Sequence, residues 1–309
     1  MDFTEILSGN QPQPPKTGYP NLLIMTGPPG VGKSTLSAGL NVNGRKNLVV
    51  DFQGGLSHVG GNVFDLRAFQ ETYKLGALDS FLAMLRQLEN LKKGVKIVTK
   101  DSKKVEEQIE PFEWDFITLD PLFFFQAILT ERAAQLYNSS QTGLSKAKQL
   151  AEQKYGKTYT QDQLKTFFSN DPCGDQNNNA GQNGWSFIKM AWEELWNRLR
   201  ALPKECLIIV AHVKYNKLVK SLEDVVDVKS FNFWPTYANF LVMEASDSCW
   251  VNREDENKVY MNFSTKGENQ TFKSRWFNER KILISEYVDG NIIYHWDEIF
   301  PFLSTNKDN

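Results

Sequence analysis

Cysteine is scarce: Cys173, Cys206 and Cys249 are three, an odd number, and widely spaced in 309 residues. A disulfide framework is excluded by that count, and a reducing compartment fits it. Only three histidines occur (His58, His212 and His295) and no Cys-x-x-Cys, which leaves too few ligands for a structural zinc site. No apolar run approaches 18 residues, so a membrane span is not expected. The start, Met1-Asp2-Phe3-Thr4-Glu5, lacks the basic and apolar segments of a signal peptide. A net charge of −2 supplies no global basic field for nucleic acid, although a local patch diluted by acidic surface stays open. No internal repeat is present.

The apolar fraction of 41% and 13% aromatic content suffice for a sizeable core. The chain is organised around Gly27-Pro28-Pro29-Gly30-Val31-Gly32-Lys33-Ser34-Thr35, which fits G-x-x-x-x-G-K-[ST], the phosphate-binding loop. Asn21–Thr26 before it reads as a buried strand, and Thr35–Leu40 after it as a helix opening, which is the context the motif requires. Glycines let successive N–H groups turn toward phosphate oxygens. Lys33 is expected on the β- and γ-phosphates of ATP, and the Ser34 hydroxyl on Mg²⁺.

Further apolar runs mark strands at 47–52, 116–120 and 206–211, with a small hairpin strand at 95–98. Helical spacing covers 79–91, capped by Asp79 or Ser80, then 122–136 and 185–202. Alternating runs at 241–245, 258–263, 281–287 and 292–296 predict strands. Residues 1–20, with Gln11-Pro12-Gln13-Pro14-Pro15, read as a flexible leader, 21–300 as the main domain and 301–309 as a tail. A stretch rich in Gln, Asn, Ser and Lys at about 137–184 reads as a polar insertion, partly helical at 145–154 and 161–168. The order is βα units first and a strand-rich extension last, an α/β fold built on a mainly parallel sheet with helices on both faces.

Strand ends carry the remaining candidates. Asp120 ends an apolar strand as a Mg²⁺-organising carboxylate does. Asp51 either takes a proton from an attacking water or caps the next turn; Gln53 is no base but can orient a water. His212 follows a strand end where a polar side chain can sense the γ-phosphate. Lys214, Tyr215, Lys217 and Lys220, with Phe231, Phe233, Trp234 and Tyr237 soon after, interleave cations and rings as single-stranded nucleic acid requires. Lys273 and Arg275 are cations able to neutralise a γ-phosphate, on a neighbouring subunit.

Gly27–Thr35, Leu48–Gly55, Phe116–Asp120, Leu207–His212 and a strand-rich tail with Phe272-Lys273-Ser274-Arg275 together resemble the RecA-like recombination ATPases of bacteriophages, the Sak-type single-strand annealing group. The resemblance spans about 20–130 and 185–285. It implies a RecA-like P-loop NTPase fold, ATP and Mg²⁺ as ligands, and single-stranded DNA as partner in recombination or replication. Self-association into a ring or filament, contact with phage single-strand-binding or recombination proteins, and a host-cell cytoplasmic location follow from it. That family's second strand ends D-x-E-G-G, with the glutamate as catalytic carboxylate. Here Asp51-Phe52-Gln53-Gly54-Gly55 replaces it with Gln53, which puts fast hydrolysis in doubt. His212 matches the family's sensor, and Lys273 and Arg275 its K-x-R motif; 137–184 and 214–236 take the places of the two DNA-facing loops. Two other classes stay open: a nucleotide-dependent scaffold with little turnover, which Gln53 favours, and a nucleotide kinase, whose arginine-rich lid has no counterpart in 137–184, where arginine is absent.

Overall fold

The computed structural model describes residues 18–41, 44–100, 103–173, 181–221, 224–266 and 273–304. In chain order, β1 (Leu22–Thr26) leads through the glycine-rich loop into α1 (Lys33–Ala38), followed by β2 (Asn47–Asp51), β3 (Asn62–Asp65), α2 (Leu66–Tyr73) and α3 (Ala77–Lys92). A hairpin of β4 (Val95–Lys100) and β5 (Lys103–Gln108) precedes β6 (Phe116–Asp120). Helices α4 (Phe125–Ser139), α5 (Gln141–Tyr155), α6 (Gln161–Lys165) and α7 (Gly181–Arg200) then lead to β7 (Cys206–Ala211). The hairpin β8 (Val213–Ser221) and β9 (Asp224–Phe231), helix α8 (Pro235–Glu244), and strands β10 (Asp247–Asp255), β11 (Lys258–Asn262), β12 (Lys281–Val288) and β13 (Asn291–Tyr294) complete the chain.

Nine strands form one sheet in the order β13-β12-β11-β10-β1-β7-β6-β2-β3. From β10 to β3 the neighbours are parallel; from β10 to β13 they are antiparallel. A parallel sheet covered on both faces needs strands apolar on both sides. β1 meets this: Leu22 and Ile24 join one core cluster, Leu23 and Met25 the other, and all four are fully buried. β7 divides the same way, Leu207 and Ile209 against Ile208 and Val210. One face carries α3, α4, α7 and α8, with Trp192 and Trp196 of α7 stacked 4.8 Å apart. The other is covered by α1 and the C-terminal segment 296–303, and closes with Trp296, whose Nε1 donates to the Leu36 carbonyl at 3.1 Å.

Several sequence expectations need correction. Leu241–Ala245 is not a strand; it lies at the end of α8, which starts at Pro235, where a fixed φ and a missing N–H suit a first helical turn. The strand begins two residues later. Helix α3 has Gly76 at its N-cap without a side-chain cap, so neither Asp79 nor Ser80 serves there. Residues 214–231 are a paired hairpin and not a loop. The polar insertion carries helices α5 and α6, capped by the hydroxyls of Ser140 and Thr160, around a cluster of Ala147, Ala151 and Leu164. Its Asn177–Asn179 run lies outside the described residues, as do residues 1–17 of the leader. Tyr19 is tied in by its hydroxyl, which donates to Glu205 at 2.8 Å. At the other end Leu303 is buried, so the packed chain extends beyond residue 300. Among the described residues no helix is long and apolar enough to cross a membrane.

Candidate functional site

The C-terminal ends of β1, β2, β6 and β7 lie along one edge of the sheet, where an open parallel sheet forms its crevice. A cleft of about 320 Å³ there is lined by Gly30, Gly32, Lys33, Ser34, Thr35, Asp51, Gln53, Asp120 and His212. Residues read from four separated stretches of sequence are thus brought to one place.

The loop is shaped by close approach. A Cβ at Gly27 would collide with the Val251 carbonyl of β10, so no other residue fits between the two strands. Gly32, the residue before α1, sits at φ 97°, a left-handed conformation that glycine adopts without strain. Val31 is buried, and Pro28, Pro29 and Gly30 form the exposed rim. Lys33 is 5% exposed, and its Nζ donates to the carbonyls of Gly27 and Pro28 at 2.9 and 2.8 Å, across the loop. Burial lowers its pKa; the nearby Asp120 charge opposes this.

Asp120 is 5% exposed, and its carboxyl is pushed up to about 6. Burial is the main cause. The Ser34 hydroxyl beside it acts in the opposite direction, the Asp51 charge raises the value further and Lys33 lowers it. Its Oδ2 is buried with no hydrogen-bond partner among the described residues. An unpartnered carboxylate oxygen beside a serine hydroxyl is a hard-oxygen donor set, and it fits Mg²⁺.

Asp51 is fully engaged elsewhere. Oδ1 accepts from the backbone N–H of Gln53 and Gly54 at 2.9 and 3.0 Å, and Oδ2 from that of Leu56 at 2.8 Å. Of the two roles open from sequence, the turn cap is the one its contacts fulfil. That turn holds Gln53, exposed, at the cleft. His212 is half-buried just past β7, with its ring 5.6 Å from that of Phe123. Burial and then the Lys33 charge lower its pKa, which keeps it neutral at pH 7.

Lys273 and Arg275 are not brought to this cleft. Ser274 bridges to Asp247, the residue opposite Leu23 in β1, at the far end of the sheet. Asp247 Oδ1 accepts from the Ser274 hydroxyl and from the backbone N–H of Arg275 and Trp276 at 2.8 to 3.0 Å, which pins the segment. Lys273 Nζ donates to the Met243 carbonyl at 2.6 Å. Lys214, Tyr215, Lys217 and Lys220 lie along β8, which leaves the cleft edge one residue after His212; their side chains fall outside the described residues. His58, which also lines the cleft, was missed from sequence. The signal available was its place in the glycine-rich segment following Asp51.

No family model matches the chain, and no curated protein resembles it significantly. The class defined by the coordinates is a mixed α/β protein with a large, mostly parallel sheet.

Proposed function

We propose that the chain is a RecA-like P-loop ATPase that binds Mg·ATP at this cleft, hydrolyses it slowly, and acts with single-stranded DNA in phage recombination or replication. The observation that carries the reading is the meeting of the Gly27–Thr35 loop with Asp120, whose Oδ2 is buried and unpartnered, in one cleft. The loop N–H groups and Lys33 bind the phosphates; Ser34 and Asp120 would hold Mg²⁺. When bound, that ion neutralises charge on the β- and γ-phosphate oxygens. Gln53 orients a water by its amide but takes no proton, and neutral His212 offers one hydrogen bond toward the phosphate end of the cleft.

A second reading, a nucleotide-dependent assembly protein with little turnover, is favoured by the same two residues: Gln53 carries no carboxylate, and that of Asp51 is spent on three backbone N–H groups. Lys273 and Arg275 stand at the opposite end of β1, a strand of about 15 Å at 3.3 Å per residue. They are therefore out of reach of their own cleft and suited to a neighbouring copy. ATPase assays with and without single-stranded DNA test the proposal. A DNA-raised rate supports it, binding without turnover supports the second reading, and phosphoryl transfer to a nucleoside monophosphate overturns both.

A further inference from the structure

The titratable side chains among the described residues lining the cleft are Lys33, Asp51, His58, Asp120 and His212. The proposed function gives His58 no task. Its place is set by the turn that Asp51 holds. Asp51 Oδ2 accepts from the Leu56 N–H at 2.8 Å, and the Leu56 carbonyl in turn accepts from the Val59 N–H at 3.0 Å. Ser57 and His58 are therefore the central residues of a hydrogen-bonded turn whose first residue is tied to the end of β2. The same carboxylate fixes Gln53 through its backbone N–H. One buried aspartate thus holds both Gln53 and His58 on the cleft wall, and both are exposed there. The His58 ring forms no hydrogen bond, ion pair or ring contact among the described residues.

Hydrolysis is helped by a group that takes a proton from the attacking water, and the other candidates are engaged. Gln53 is no base. Asp51 is spent on three backbone N–H groups. Asp120 is assigned to Mg²⁺, and Lys33 is a cation. Protonating His212 would add a second positive charge near Lys33, and burial together with that charge already lowers its proton affinity. His58 stands in the open, where an imidazolium is solvated and can pass its proton to bulk water. We propose that His58 is the general base of this cleft, in place of the carboxylate that residue 53 lacks; the assignment rests on the loop binding ATP for hydrolysis. A ring nitrogen of His58 accepts the proton of a water that Gln53 orients. The water oxygen bonds to the γ-phosphorus, the bond from that phosphorus to the β–γ bridging oxygen breaks, and ADP leaves with the electron pair. At about 320 Å³ the cleft is at the small end of the range for ligand sites, so groups on its different walls reach one bound molecule.

Steady-state hydrolysis and calorimetric binding of Mg·ATP by the full chain test this in the wild type, His58→Gln and His58→Ala. His58 is exposed and its ring unpartnered, so both substitutions leave the core intact. His58→Gln is expected to lose about a hundredfold in kcat while ATP affinity stays that of the wild type. In His58→Ala, imidazoles added to the solution restore turnover, and the restored rate rises with their basicity. Proton NMR supplies a readout apart from turnover, because the chain has only three histidines. The His58 ring signal, identified by its absence in His58→Gln, shifts when a non-hydrolysable ATP analogue binds. A kcat unchanged in the variants, no rescue, a rescue indifferent to basicity, ATP affinity lost in step with the rate, or a ring signal that does not move each overturns the base and leaves the ATP site standing. A wild-type protein that binds no ATP, or binds it without turnover, overturns hydrolysis at this loop, and the role of His58 with it.

Discussion

Asp51 and Asp120 face each other in register at the ends of the adjacent parallel strands β2 and β6, yet their carboxylates have opposite fates. Asp51 accepts three backbone hydrogen bonds, whereas Asp120 keeps one buried oxygen without a partner. The first builds the turn; the second is the one the proposed function assigns to Mg²⁺. Their proximity also raises the proton affinity of Asp120, second to burial among the raising effects.

Asp120→Asn is therefore expected to stabilise the ligand-free protein. The folded carboxyl titrates at about 6 against an ordinary 3.8, so between these values the native state holds the proton that the unfolded chain has released. Stability falls as pH rises through that window, and the penalty is complete above the folded value. Two pKa units correspond to at most about 3 kcal/mol. Thermal melts at pH 4 and 7.5 check this: the variant gains over the wild type at the higher pH and not at the lower. Added Mg·ATP should reverse the order, because only the wild type then gains from the ion.

Lys33→Ala should lower the affinity for ATP by a hundredfold or more, read by titration of a fluorescent ATP analogue. The substitution removes two hydrogen bonds to loop carbonyls but also a buried charge, so the melting temperature should move little. A variant that binds ATP normally would remove the basis of the functional proposal.

What could be read from the sequence was local. The phosphate loop is a contiguous motif, and β1, β2, β6 and β7 are apolar runs that end in Thr26, Asp51, Asp120 and Ala211. The misreadings share one cause, which is information held in long-range pairing. Lys273 and Arg275 look like site residues in sequence; their place follows from β10 lying parallel to β1, which puts Asp247 opposite Leu23. Leu241–Ala245 is apolar enough for either a strand or a helix, and the Glu244 carboxylate, bound to Trp196 Nε1 at 2.6 Å and Arg200 Nη1 at 2.8 Å, ties it to α7 as a helix. A second cleft, beside Gly32 and Thr35, joins Arg253 of β10 to a hairpin more than thirty residues away.

Asp51→Ala separates scaffolding from chemistry. Loss of the carboxylate that accepts from three backbone N–H groups should cost about 2–4 kcal/mol in urea unfolding, because the Gln53, Gly54 and Leu56 amides lose their buried partner. Asp51→Asn should recover part of that. If Asp51 were instead the general base, Asp51→Asn would abolish turnover at full stability.

Gln53→Glu should raise the rate of ATP hydrolysis by about tenfold or more with little change in ATP affinity, since a carboxylate can accept the proton of the attacking water. Gln53 is exposed, so the change costs the fold little. Steady-state phosphate release checks it. An unchanged rate would place the limit elsewhere, in nucleotide exchange or in assembly.

The hairpin β8–β9 leaves the cleft edge directly after His212, so under the proposed function β8 is the direct route from bound DNA to the nucleotide. Replacing Lys214, Lys217 and Lys220 together by alanine should weaken binding of single-stranded DNA. It should also reduce the slope of log affinity against log salt by about 2, because each lysine lost from a phosphate contact removes about 0.7. The slope separates a phosphate-binding strand from one that packs: a structural role changes affinity at all salt concentrations alike. If the slope stays the same, the DNA surface lies away from β8, and coupling between DNA and ATP must take another route than His212.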